Sequence, residues 1–152
     1  MIVIQDTREK LPLDIKAYTV EIAHLPIGDY GIKGFSDWQN PAFIVERKSM
    51  NDLVGSLTRE RTRFWAELEK MRQFRFAAVL VECTQEQVER GEYRSKATPK
   101  SITASLDAIR VRLGIHIIWA GDADGAARQL EALVRQFARG IEKQAKAIAR
   151  TA

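Results

Sequence analysis

Two carboxylates and a lysine carry the chemistry this chain offers: Asp29 within Gly28-Asp29-Tyr30, and Glu46 and Lys48 within Phe43-Ile44-Val45-Glu46-Arg47-Lys48. Phe43-Ile44-Val45 is a short apolar run bounded upstream by Asn40-Pro41, which predicts a strand continuing into Glu46-Arg47-Lys48. Strand side chains alternate faces, so Glu46 and Lys48 share one face and Arg47 takes the other. Residues 29–33 form the expected partner strand, and a hairpin centred between Asp37 and Trp38 sets Asp29 opposite Glu46. Directly opposed residues have β-carbons roughly 5 Å apart, about the spacing at which two carboxylates share a divalent cation. Without a cation or a proton between them, two such charges repel strongly. Hard cations such as Mg²⁺ or Mn²⁺ take oxygen ligands, usually one or two carboxylates completed by water and phosphate oxygens. An ion held by Asp29 and Glu46 would polarise a scissile phosphate and help generate hydroxide from water. Lys48 is placed to orient that water or to neutralise the transition state, and the backbone carbonyl of Arg47 is a further candidate ligand.

Two flanking segments extend the pattern. Asp6-Thr7-Arg8-Glu9 follows the strand-like residues 2–4, so a third carboxylate emerges at a strand end, where loops commonly carry sites. Ser49, Met50, Asn51 and Asp52 follow Lys48 and supply N-cap and first-turn residues for a helix whose positive end lies near a bound phosphate. Asp6-x-Arg8-Glu9, then Gly28-Asp29-Tyr30, then Val45-Glu46-Arg47-Lys48-x-x-x-Asp52 resembles the nuclease domain of the XPF family of structure-specific endonucleases. The motif match covers about the first 70 residues, and an alternation of helices and strands extends it to about residue 138.

The resemblance implies a three-layer α/β domain of the restriction-endonuclease-like kind, with a central mixed sheet flanked by helices, over residues 1–140. Residues 141–152 then form a basic helical extension or tail. It implies divalent-metal-dependent cleavage of branched, flapped or forked DNA, in repair, recombination or phage DNA processing, leaving a 5′-phosphate. It gives Asp29 and Glu46 as ligands, Lys48 as the catalytic lysine, and supporting roles for Asp6, Arg8, Glu9, Arg47 and Asp52. The family's usual Gly-Arg-Leu-Phe and the glutamine after it are absent, replaced by Glu60-Arg61-Thr62-Arg63-Phe64-Trp65, which leaves Arg61 and Arg63 as alternatives for the arginine near the site. Family members typically carry a helix-hairpin-helix domain after the nuclease domain, and this chain is too short for one, so homodimerisation would use the nuclease domain itself. The competing readings are a non-catalytic DNA-binding or dimerisation module, which would have lost one of Asp29, Glu46 and Lys48, and a nuclease acting on RNA or single strands.

Composition sets the frame. A chain of 152 residues with 45% apolar content holds one ordinary core. The net charge of +4 is compatible with nucleic acid without demonstrating it. Cys83 is the single cysteine, so no intramolecular disulfide forms and a reducing compartment suits the chain. Cys83 follows an apolar run and reads as a buried or half-buried strand residue rather than a nucleophile. No run reaches the roughly 18 apolar residues of a membrane span, and charge appears too early for a signal peptide. The expected location is cytoplasmic, or nuclear in a host with a nucleus.

The elements that must hold the cluster are legible in outline. Residues 2–4 and 18–22 read as strands, and 77–83 and 115–119 as strands buried on both faces. A helix over 51–73 is expected, with Met50, Leu53, Val54, Leu57, Phe64, Leu68 and Met71 on one apolar stripe. Arg61 falls inside that stripe, so it should turn toward a carboxylate or a DNA phosphate. Arg59 and Arg63 share a polar face with Asp52, laced with Glu60, Glu67 and Glu69; this reads as solvated more readily than as a DNA track. In the loop 91–100, Tyr93, Arg94, Lys96 and Lys100 are candidates for phosphates and a splayed base, set against plain solubility. Thr98-Pro99 opens a helix through Leu113. Trp38 packs on the body in preference to wedging into DNA, and His24 and His116 receive no role. A final helix over 124–149 covers the sheet with its first half, and its basic end frays or serves a partner.

Overall fold

The structure, a computed structural model, describes residues 1–152. A six-stranded sheet forms its middle layer: β1 (Ile2–Asp6), β2 (Thr19–Ala23), β3 (Tyr30–Ile32), β6 (Phe43–Lys48), β7 (Phe76–Val81) and β8 (His116–Trp119), with β4 (Ser36–Asp37) and β5 (Asn40–Pro41) as a small separate hairpin. The strand order is β2-β1-β3-β6-β7-β8. β1 pairs in parallel with β2, and β6 with β7 and β7 with β8, while β3 runs antiparallel between β1 and β6. The expected mixed sheet is present, and helices cover both of its faces.

One face carries α1 (Met50–Leu57), α2 (Arg61–Met71), α3 (Gln85–Glu89) and α4 (Pro99–Ala108). Their apolar stripes close over Ile4, Ile44, Val79 and Val81, so this core is built from Leu53, Val54, Leu57, Phe64, Leu68, Met71, Val88, Ile102 and Leu106. The other face carries α5 (Ala123–Thr151) alone, which packs Ala126, Ala127, Leu130 and Val134 on Val3, Tyr30, Ile32, Val45, Ala78 and Leu80. Continuous apolar sequence in β7 suits a strand covered on both sides, and Ala77 to Val81 are all buried.

Three expectations need correction, and one helix was not anticipated. The helix over 51–73 is two helices, because Thr58 folds back, its amide donating to the Gly55 carbonyl and its hydroxyl to that of Val54. Both halves keep the apolar stripe, since a short turn re-phases the second helix against the same core. Of residues 115–119 only Ile115 is buried: β8, which begins at His116, is an edge strand whose residues are half-buried at most. The strand at 77–83 ends at Val81, leaving Cys83 buried just past it, where burial pushes its thiol up to about 11. α3 has no counterpart in the sequence reading, although its capping box, Thr84 with Gln87, is a local signal.

Thr98 caps α4 as expected, and the helix continues as a π-turn over Ile109–Leu113 to a left-handed Gly114. Trp38 is partly exposed and packs on Phe74 with ring centroids 5.3 Å apart. No helix is long and apolar enough to cross a membrane.

Candidate active site

The β3–β6 register pairs Tyr30 with Val45. One rung further, Asp29 lies opposite Glu46, the pairing the sequence predicts. The intervening hairpin pairs Asp37 with Asn40, so its own turn sits at Trp38 and Gln39. Two hydrogen bonds hold the rung: the Asp29 amide donates to the Val45 carbonyl at 2.9 Å, and the Arg47 amide donates to Asp29 Oδ2 at 2.7 Å. In a strand, the amide and carbonyl of one residue point to the same neighbour, so the Arg47 carbonyl also lies on the Asp29 side.

Gly28 makes this approach possible. Its φ is +77°, and a β-carbon there would lie 2.7 Å from Ile44 Cγ1. Only glycine brings the chain into β3 this close to β6.

The β1–β3 register, extended by one residue, places Asp6 beside Asp29, and the Asp6 amide donates to the Asp29 carbonyl at 2.9 Å. Three carboxylates thus stand in one row, Asp6, Asp29 and Glu46. Asp6 is fully buried and its oxygens are engaged: Oδ1 accepts from the Leu25 amide at 2.8 Å, and Oδ2 from the Arg8 amide and Nε at 2.9 and 2.5 Å. Burial alone would raise its pKa, but the bonds from Arg8 and Leu25 outweigh burial and hold it below the ordinary value. Asp6 therefore anchors Arg8, whose own charge is reinforced first by its bond to Asp6 and also by the fields of Asp29 and Glu46.

Glu46 is the opposite case. Burial, then the hydrogen bond and charge of Asp29, push its pKa well above the ordinary carboxyl range, and Glu67 adds to the rise while Lys48 opposes it. Lys48 Nζ rests 5.1 Å from the centre of the Phe64 ring on the same face.

Arg47 turns to the other face, as expected. It contacts Glu82 through Nε, Glu9 at 3.0 Å through Nη1, and the Leu11 carbonyl. Glu9 also accepts from the Tyr30 hydroxyl at 2.8 Å, and that hydroxyl accepts from the Leu13 amide at 2.8 Å. A cleft of about 360 Å³ opens here, lined by Arg8, Glu9, Lys10, Arg47, Asp52 and Glu82 among others. Asp52 stands in the first turn of α1 behind the N-cap Ser49, whose hydroxyl accepts from the Asp52 amide at 3.2 Å.

The remaining candidates spread out. Arg61 does not reach a carboxylate: it opens α2, where its guanidinium donates to the Leu57 carbonyl at 3.2 Å and Ser105 Oγ at 2.8 Å and stacks 4.9 Å from Trp65. Arg63 pairs with Glu60 at 2.8 Å, and Arg59 sits in the turn between the helices against Gly55. The break separates both from Asp52. Tyr93 lies in the core with its hydroxyl bonded to the Ala97 carbonyl at 2.7 Å, so it presents no ring to a base. Arg94, Lys96 and Lys100 are exposed, and the Arg94 amide donates to Asn51 Oδ1 at 3.0 Å, which ties their loop to the start of α1.

Three residues about the site were given no role there by sequence reasoning. Glu67 faces the site instead of forming part of a solvated face, and Phe64 and Glu82 contact Lys48 and Arg47. Glu82 had a faint signal in its place after a strand-like run. The other two depended on how α2 docks.

The donor set suits a hard cation. The Asp29 and Glu46 side chains share a hydrogen bond and the Arg47 carbonyl lies on the Asp29 side of its strand, while no set of three His, Cys, Asp or Glu side chains is gathered anywhere that could hold a metal by itself. The rest of an octahedral shell would fall to water and phosphate.

The family model described as the ERCC4 domain matches residues 5–133. Among solved structures, the chain is similar to XPF from Aeropyrum pernix, at 24% identity over 90% of this chain and 61% of that one, with a TM-score of 0.72. It is also similar to XPF from Aeropyrum pernix in complex with DNA, at 25% identity over 91% of this chain and 66% of that one, with a TM-score of 0.70. The chain thus spans a little under two thirds of the length of these two. No curated protein matches it.

Proposed function

Because the chain belongs to the ERCC4 domain family, we propose that it is a divalent-metal-dependent nuclease that hydrolyses phosphodiester bonds in DNA. The observation that carries this reading is the register that sets Asp29 opposite Glu46, with Lys48 two residues on along the same face. Asp29 and Glu46 would hold Mg²⁺ or Mn²⁺, with the Arg47 carbonyl as a third protein oxygen. The bound ion supplies polarisation of the phosphate and a more acidic attacking water. Lys48 orients that water or stabilises charge developing on the phosphate. Arg8, fixed on Asp6, adds a second cation beside the row, and Arg47 holds the strand end through Glu9 and Glu82. DNA as substrate is supported by the XPF structure that contains it. Branched, flapped or forked DNA is the substrate class proposed, met by α1's N-terminus and the neighbouring loop of Arg94, Lys96 and Lys100.

The test is cleavage of flap, fork, junction, duplex and single-stranded DNA, and of RNA, with Mg²⁺ or with EDTA. Metal-dependent cutting of DNA, lost by about 10³-fold or more in both Asp29→Asn and Glu46→Gln, is the expected result. Binding without cutting by the native chain would overturn the catalytic reading in favour of a scaffold module. Cutting confined to RNA would overturn the substrate.

A further inference from the structure

The chain's formal charge is unevenly placed. Residues 132–152 hold five Lys and Arg against one carboxylate, Glu142, and so account for the whole excess of +4, leaving residues 1–131 formally neutral. All five lie on α5, and with Arg128 they follow helical spacing: Arg128, Arg135, Arg139, Lys143, Lys146 and Arg150. At 3.6 residues per turn these six fall within an arc of about 80° and run about 33 Å along the axis. The arc lies roughly half a turn from the stripe of Leu130 and Val134 that packs on the sheet. All six are exposed. None takes part in an ion pair.

Solubility alone is a poor explanation of this arrangement. Exposed helix faces usually intersperse both signs, because unlike charges at i, i+4 stabilise a helix by about 0.2–0.5 kcal/mol and like charges cost as much. Here Arg135 with Arg139, Arg139 with Lys143, and Lys146 with Arg150 stand at that spacing. The helix dipole rewards cations only in the last turn, where Arg150 is the single basic residue. Of the carboxylates that flank the stripe, Glu131 is turned away, accepting from the Lys16 and Ala17 amides at 2.9 and 2.6 Å, while Asp124 and Glu142 stand four residues before Arg128 and Lys146 without forming an ion pair.

We propose that this face of α5 is a second nucleic-acid contact, a track for the phosphates of a duplex arm away from the cut. The proposal rests on the nuclease reading. Duplex DNA presents one charge about every 1.7 Å, and the stripe's length is close to one turn of the duplex, about 34–36 Å. A lipid surface fits less well, since the apolar face of the first half of α5 is already buried against the sheet.

The test uses the full chain carrying Asp29→Asn, so that the probe stays intact, with and without Arg139→Ala, Lys143→Ala and Lys146→Ala together. Alanine keeps helix propensity, and circular dichroism checks that the fold is kept. Binding of a fluorescent blunt duplex is followed by anisotropy across a salt series. Loss of the three cations should weaken binding about tenfold at low salt and reduce the slope of log K against log salt by about two to three. A control replacing Lys70, Arg75 and Arg112 by Ala, exposed cations off the stripe, should keep a slope near the parent's. Unchanged affinity and slope in the stripe variant, or an equal loss in the control, would overturn the track. So would a loss seen only on phosphatidylserine vesicles. Failure of the native chain to cut DNA, with the slope change present, would remove the nuclease reading and leave the track standing.

Discussion

Glu46 is held where a carboxylate is costly, buried and beside Asp29. The folded protein therefore keeps the Glu46 proton to higher pH than the unfolded chain does, and stability falls as pH rises from the ordinary carboxyl range through the raised folded value. In EDTA, Glu46→Gln should be more stable than the native chain by roughly 1–3 kcal/mol above that window, with the gain vanishing near pH 4. Thermal melts across pH read this directly. Equal melting temperatures at all pH values would mean that the pair is not strained. Neighbouring residues divide their work differently. Arg47 satisfies Glu9 and Glu82, all three mostly buried, so Arg47→Ala should cost about 3 kcal/mol or more. Lys48 makes no ion pair, so Lys48→Ala should change stability by less than about 1 kcal/mol while lowering single-turnover cleavage by about 10²-fold. Denaturant unfolding and kinetics on the two variants separate support from chemistry.

At the scale of elements, the strand entry at Gly28 matters most. A β-carbon there meets Ile44 in a left-handed backbone. Gly28→Ala should destabilise by roughly 2–4 kcal/mol, from the φ penalty and the overpacking together, and should lower cleavage further because Asp29 moves with it. A variant with native stability and activity would show that β3 can be rebuilt without the glycine. The break between α1 and α2 has a consequence of its own. By re-phasing the chain it lets α1 leave the site while α2 returns with Phe64 and Glu67, and it places Arg61 on Ser105 of α4.

Across the whole molecule, the three layers divide the roles. The face under α1 to α4 holds the carboxylate row, and the face under α5 holds the Arg47 clamp. Beyond Gly140, α5 leaves the body: Ile141 is half-buried and Ile148 is 69% exposed. Removing residues 141–152 should therefore shift the melting temperature by no more than about 2–4 °C, the equivalent of roughly 1 kcal/mol, yet weaken duplex binding by deleting Lys143, Lys146 and Arg150. A large loss of stability would show that the end of the helix belongs to the core.

Sequence by itself determined whatever depends on near neighbours. Alternation fixes which of Glu46, Arg47 and Lys48 share a face, a hairpin's register follows from its length, and Ser49 and Thr98 cap helices through bonds three residues away. Asp29 opposite Glu46 was legible for that reason, and so was the mixed α/β architecture through its motif. Tertiary structure alone decided what parallel pairing and docking bring together. Glu82 reaches Arg47 because β7 lies parallel to β6, a register that no turn encodes. Tyr93 enters the core, and Glu67 faces Glu46, because whole helices settle against the sheet. Asp6 is the instructive case: its place at a strand end was readable, but its engagement by Arg8 and Leu25 needed a loop 19 residues away to close over it.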